Sequence, residues 1–192
     1  MLPEQIIYVG IIVNLFLSIW YVKTVIYGNT KPNLVSWFVW MLAPMVGTFL
    51  ALKAGAGFSA SGIFLAGFGP FLVIVVSLFK KNAFWRINKL DVICGTLALI
   101  ALIIYAFTHN LEISILFIII SDGLAAIPTI IKSWKFPETE SGSAYIGGIV
   151  NNILALLIIK NWIFSIYSLN IYFIVVNMII VFSIYRKKIF RS

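Results

Sequence analysis

Residues 80–107 read KKNAFWRINKLDVICGTLALIALIIYAF: four basic residues, Lys80, Lys81, Arg86 and Lys89, then an apolar run from Val92 to Phe107 with nothing stronger than Thr96 and Tyr105. A helix needs about 20 mainly apolar residues to cross about 30 Å of hydrocarbon. The run reads as a membrane span. The bases before it mark the side it enters from, because short cytoplasmic loops collect Lys and Arg.

The rest of the chain repeats this alternation. It is 62% hydrophobic and 10% charged, with mean hydropathy +1.08, against about 25% charged residues in an ordinary soluble domain. Seven runs are candidates for spans: 5–26, 34–53, 60–79, 90–107, 112–133, 143–160 and 163–185. The first does not read as a cleavable signal, since Glu4 precedes it and Lys23 follows its apolar stretch. Twelve of the 14 Lys and Arg residues fall in the odd-numbered loops and the tail, leaving only Lys53 and Lys160 on the other side. That split places the N-terminus outside and the C-terminus in the cytoplasm, and an even number of spans would not produce it. Tyr27, Trp37, Trp134, Tyr145 and Trp162 lie near span ends, as interfacial aromatic residues do. The formal charge of +8 is scattered through short loops, so it reads as a topology signal and not as a nucleic-acid face.

Six spans carry a polar or helix-loosening residue near their middle, and the fourth does not. This predicts an all-α polytopic membrane protein arranged 3+1+3: a three-helix unit over 1–81, a linker helix over 82–110, and a second unit with a basic tail over 111–192. A weak internal echo agrees. At a shift of 108 or 109 residues, Lys23-Thr24 falls on Lys132-Ser133, Thr30 on Thr139, Ser36-Trp37 on Ala144-Tyr145, and Asn14 on Asp122. One extra helix lets the second unit insert in the same orientation as the first.

Two stretches, Tyr27-Gly-Asn-Thr-Lys-Pro-Asn-Leu-Val-Ser-Trp37 and Asp122-Gly-Leu-Ala-Ala-Ile-Pro-Thr129 continuing to Glu140-Ser141, together with this topology, resemble the PQ-loop superfamily that includes the SWEET facilitators. Pro128-Thr129 stands where that family has its Pro-Gln or Pro-Thr pair. The resemblance implies a solute transporter with a midplane site, in which a seventh-helix Asn, here Asn177, contacts substrate. The chain departs from the pattern in having no Pro-Gln, only Pro44 and Pro128 of the usual proline set, and Gly69-Pro70 at the place of the partner Asn.

Asp122 lies mid-span, where a charged carboxylate costs about 3 kcal/mol on insertion scales. It reads either as a substrate or proton-coupling group, or as a neutral acid bonded to Asn14 or Asn152. Asn14, Asn152 and Asn177 either line a polar path or act as interhelical glue. Asn151 shares a stripe with Gly147 and Ala155 and reads as close packing. Trp37 and Trp40 share a face, as a platform for a sugar-like ring or as packing. Pro44, Pro70 and Pro128 read as hinges or as static kinks. Glu138 and Glu140 read as a solvated cluster with Lys135, and Asp91 and Glu112 as acids at helix starts.

One Cys (Cys94), one His (His109) and no phosphate loop or His-Glu-x-x-His leave no basis for an enzyme, a metal site or a cofactor. The expectation is a transporter of a small polar solute, with a proton and a second copy of the chain as candidate partners beside the lipid. The alternative is a non-transporting structural or partner-binding membrane protein. An Ile- and Lys-rich chain without an Asn-x-Ser/Thr acceptor points to a bacterial plasma membrane.

Overall fold

The computed structural model describes residues 5–53, 61–80, 84–108, 111–159 and 162–190. Lys81, His109, Lys160 and Arg191, and the side chain of Lys53, lie outside the described residues. The regular elements described are all helical: α1 (Ile6–Ile26), α2 (Leu34–Lys53), α3 (Ser61–Phe79), α4 (Lys89–Phe107), α5 (Leu111–Lys135), α6 (Ser143–Leu157) and α7 (Phe164–Ile189), with one 3₁₀ turn at Pro137–Thr139.

The helix ends have local causes. At the start of α4 the Asn88 side chain accepts from the backbone N–H of Leu90 and Asp91, while the Asp91 carboxylate accepts from Asn88 N at 2.7 Å. This reciprocal cap satisfies donors that the first turn leaves free. The expected role of Asp91 at a helix start therefore takes the form of a full capping box. α1 stops where Gly28 adopts φ 77°, a left-handed conformation glycine enters without a Cβ clash. The N–H groups of Gly28 and Asn29 fold back onto the carbonyls of Val25 and Thr24.

α1 packs on α3 and α6, and α2 on α3, α4 and α5. α5 also packs on α4 and α7, and α6 on α7. Small residues allow the closest approaches. The Ser121 hydroxyl donates to Ala98 O at 2.8 Å across the α4–α5 contact, and Ala98 and Ala125 are fully buried with Val39. The other core cluster gathers Tyr21, Val25, Trp37, Val73, Tyr145, Ile180 and Ile184.

The outer surface is apolar. Along α1, Tyr8, Val9, Ile12, Phe16 and Ile19 are exposed, and along α4 Val92, Ile93, Leu97, Ile100, Ile103 and Phe107. Continuous apolar cover on this scale suits lipid and not water. Four helices are long and apolar enough to cross a bilayer: α1, α4, Ile115–Lys135 of α5 and Tyr167–Ile189 of α7. The described apolar runs of α2, α3 and α6 are shorter. α6 has 15 residues, a rise of about 22 Å. It ends at Leu157 and not at residue 160, as the chain leaves helical bonding at Ile158 and Ile159.

Candidate functional site

One end of the bundle collects Lys23, Lys31, Lys132, Lys135 and Arg186 to Lys188. Here the α1–α2 loop meets the α5–α6 loop. α5 ends in Thr129, Lys132 and Ser133, all buried. The chain then reverses through the 3₁₀ turn, which carries Glu140 back beside the last turn of α5. The Lys132 ammonium pairs with Glu140 Oε2 and donates to Lys31 O at 2.6 Å. The Tyr21 hydroxyl donates to Glu140 Oε1 at 2.5 Å. Lys31 N donates to Thr139 O at 2.9 Å, and the Thr129 hydroxyl to Ser36 Oγ at 2.8 Å.

Each of these bonds, apart from the ion pair itself, joins the first three helices and their loops to the last three. The side chains of Lys132 and Glu140 are 1% and 0% exposed. The expectation that Glu140 is solvated is therefore corrected. Its charge is met by Lys132 and Tyr21, and the short turn places it inside the seam. Lys132 likewise ends up in a buried site at the end of a helix. The only sequence signal for it is a lysine set directly against the apolar Thr129-Ile-Ile.

The linker before α4 covers this network. Trp85 N donates to Pro32 O at 2.9 Å, and the Trp85 ring stacks near Phe136 and lies 5.8 Å from the Lys132 ammonium. Asn33 Nδ2 donates to Asp91 Oδ1 at 2.9 Å, with both residues 1% exposed. The cap of α4 is thereby tied to the first loop.

Beside the ionic network lies an aromatic layer. The Tyr21 and Trp37 rings are 4.7 Å apart, Trp37 and Trp40 5.5 Å, and Trp37 and Tyr145 6.3 Å. Trp37 and Tyr145, positions matched by the internal echo, meet at the seam. The indole N–H groups of Trp37 and Trp40 are buried and have no hydrogen-bond acceptor among the described residues. Such donors are uncommon in folded proteins.

The mid-span polar residues fall into separate places. Asp122 Oδ2 accepts from the Tyr172 hydroxyl at 2.8 Å, a partner on α7. The bond expected to Asn14 or Asn152 is not formed, because α5 touches neither α1 nor α6 among the described residues. Asn14 lies against Gly147 and accepts from Ser18 at 3.4 Å. Asn151 lies against Gly10, on the close-packed face expected for it. The Asn152 amide donates to Gly148 O at 2.8 Å and the Asn177 amide to Phe173 O at 2.8 Å, each within its own helix. Asn177 also faces Gly148, so these two amides converge on one residue of α6. Pro44, Pro70 and Pro128 are all inside helices. Pro44 packs on Gly67, linking α2 to α3.

Among the described residues, no group of three or more His, Cys, Asp or Glu side chains is placed to hold a metal. No family model, characterised protein or solved structure matches the chain.

Proposed function

We propose that the chain is a seven-span membrane transporter for a small polar solute, built from two three-helix units joined by α4, with the basic end in the cytoplasm of a bacterial cell. The observation that carries this reading is the reciprocity of the packing. In the first unit α3 touches both α1 and α2, and in the second α7 touches both α5 and α6. Between units the contacts cross: α1 meets α6, and α2 meets α5. A parallel repeat with a pseudo-twofold axis produces such a pattern, and repeats of this kind rock against each other around a midplane site. The same pattern fits the resemblance to the PQ-loop superfamily.

In this reading the basic end is closed. To open it, the units must separate Tyr21 from Glu140, Lys132 from the Lys31 carbonyl and Thr129 from Ser36. The Lys132–Glu140 pair stays within the second unit, and the switch is in the bonds it makes to Tyr21 and to the Lys31 carbonyl, which are satisfied in one arrangement only. The solute would meet Asp122 with Tyr172, and the amides of Asn14, Asn152 and Asn177. Trp37 would lie nearer the closed end, its free indole N–H offered to an acceptor. Pro44, Pro70 and Pro128 would absorb the bending.

One observation favours the other reading, a non-transporting partner-binding membrane protein. Asp122, Asn152 and Asn177 all have intramolecular partners, so no solute is needed to satisfy them. A stabilisation screen of the purified protein separates the two. Sugars, amino acids and organic acids are tested for a rise in unfolding temperature, and hits are followed by uptake into vesicles. A transporter is stabilised by at least one class and moves it, and Asp122→Asn alters that uptake. Failure of every class in both assays overturns the proposal. Labelling of single cysteines in a Cys94→Ala background tests the topology separately, with Gln5 expected outside and Lys188 inside.

A further inference from the structure

A groove of about 810 Å³ opens at the basic end between the α1–α2 loop, the 3₁₀ turn and the last turns of α7. This is within the size range of small-molecule clefts, about 300–1,000 Å³. Lys187 and Lys188 reach it from α7, Thr24 from the last turn of α1, Asn29 and Thr30 from the first loop, and Glu138 and Glu140 from the turn region. Neither lysine forms an ion pair among the described residues. Glu140 is compensated by Lys132. The groove therefore presents two ammonium groups without an ion pair, that of Lys188 lying 5.6 Å from the Tyr185 ring, against one uncompensated carboxylate, Glu138.

The hydroxyls add a second constraint. Thr24 Oγ1 donates to Tyr21 O at 2.7 Å, and Thr30 Oγ1 donates to Thr24 Oγ1 at 2.8 Å. Both protons are committed and Thr30 is 1% exposed, so the exposed acceptors at the groove are the Asn29 side-chain oxygen and the Glu138 carboxylate. The groove thus offers cationic donors on its α7 side and acceptors, Asn29 and Glu138, on the other. Ile184 and Tyr185 supply an apolar wall between them.

We propose that this groove binds a phosphodiester whose headgroup carries hydrogen-bond donors, such as phosphoethanolamine or phosphoglycerol. Lys187 and Lys188 take the singly charged phosphate. Asn29 and Glu138 take the ammonium or hydroxyl groups. A choline headgroup has a phosphate but no donor, so it satisfies only half the site. The net charge suits a monoanion better than a phosphate monoester. Because Glu140 borders both the groove and the Tyr21–Lys132 network, occupancy favours the closed basic end. Binding at the groove itself requires no transport by the chain.

The test uses the full chain in detergent, titrated with short-chain phosphatidylethanolamine, phosphatidylglycerol and phosphatidylcholine, with bound lipid counted by native mass spectrometry. Glycerophosphoethanolamine and glycerophosphocholine form the soluble arm. One equivalent of the ethanolamine and glycerol lipids is expected, with the choline lipid roughly tenfold weaker. K187Q/K188Q is expected to lose the binding, while R86Q/K89Q, which removes as many exposed charges from the same face, retains it. Binding by lipids only assigns the ligand to the bilayer, and equal binding of the soluble diester assigns it to a free metabolite. Either supports the site. Choline lipid binding as tightly as ethanolamine lipid, equal loss in the two double variants, or no binding in either arm overturns it.

Discussion

Tyr21 and Glu140, 119 positions apart in sequence, share a hydrogen bond of 2.5 Å that joins the end of the first helix to the loop before the sixth. The same carboxylate holds Lys132, so one buried acid is shared between a phenol from one half of the chain and an ammonium from the other. Removing either ionic partner strands a buried charge. Lys132→Met and Glu140→Gln are each expected to destabilise the protein by about 3–5 kcal/mol. The double variant, which strands no charge and leaves only the Lys31 carbonyl without its donor, should recover much of that loss. Tyr21→Phe removes one hydrogen bond to a charged group and should cost about 1.5–3 kcal/mol. Thermal unfolding in detergent measures all four. A double variant no better than the worse single one contradicts the coupling.

The bond from Asn33 to Asp91 makes a narrower claim. Asp91 serves two masters, the backbone of Asn88 and the amide of Asn33. Asn33 is as heavily used, since its Oδ1 accepts from the backbone N–H of Val35 and Ser36 at the start of α2. Asp91→Ala and Asn33→Ala should therefore each lose a helix-capping contact, worth about 0.5–2 kcal/mol, beside the shared bond. A double-mutant cycle on the pair should return a coupling of about 0.5–3 kcal/mol. Additive effects within error would mean that the two side chains do not support each other.

Helix positions were legible because each apolar run is bounded by charged or turn residues. α4 begins at Lys89, one residue from its expected start, since Asn88 and Asp91 sit at capping spacing. The Asn151 stripe was also legible, because spacing by four fixes a helix face without reference to a neighbour. The partner of Asp122 was not. Choosing Tyr172 over Asn14 requires knowing that α5 lies beside α7 and not beside α1, and no local pattern encodes that. Glu140 misled for a related reason. A Glu beside a Pro-Glu-Thr turn looks solvated, and only the folded turn brings it under Tyr21. The internal echo between Trp37 and Tyr145 was faint in sequence, yet the two rings are in contact.

The seam between α1 and α6 depends on two glycines facing two amides. A Cβ at Gly10 would lie 2.9 Å from Asn151 Oδ1 and 3.2 Å from its Cα, and one at Gly147 would lie 3.0 Å from Asn14 Oδ1 and 3.1 Å from its Cα. The backbone approach leaves little room to yield. Gly10→Ala and Gly147→Ala should each cost about 1–3 kcal/mol as overpacking. Gly69→Ala is the internal control, because its nearest neighbour is the Ser18 hydroxyl oxygen at 3.8 Å. Unfolding temperatures of the three variants check this. Equal tolerance at all three sites would show that α1 and α6 are not held so closely.

Asp122 and Tyr172 separate chemistry from packing. In Asp122→Asn the carboxamide oxygen still accepts the Tyr172 hydroxyl, so the fold should survive with an unfolding temperature near that of the parent. What it loses is the ability to bind and release a proton. Tyr172→Phe does the opposite: the carboxyl stays ionisable but loses its 2.8 Å donor, and a buried acceptor left unsatisfied costs about 1–3 kcal/mol. If Asp122 couples a proton to solute movement, uptake by Asp122→Asn becomes insensitive to pH while binding persists, and Tyr172→Phe keeps a pH response with a displaced midpoint. If Asp122 is only a packing group, Tyr172→Phe lowers stability and neither variant changes the pH profile. Uptake by Asp122→Asn that matches the parent at every pH would remove the carboxyl from the mechanism and leave it as a bonded core residue.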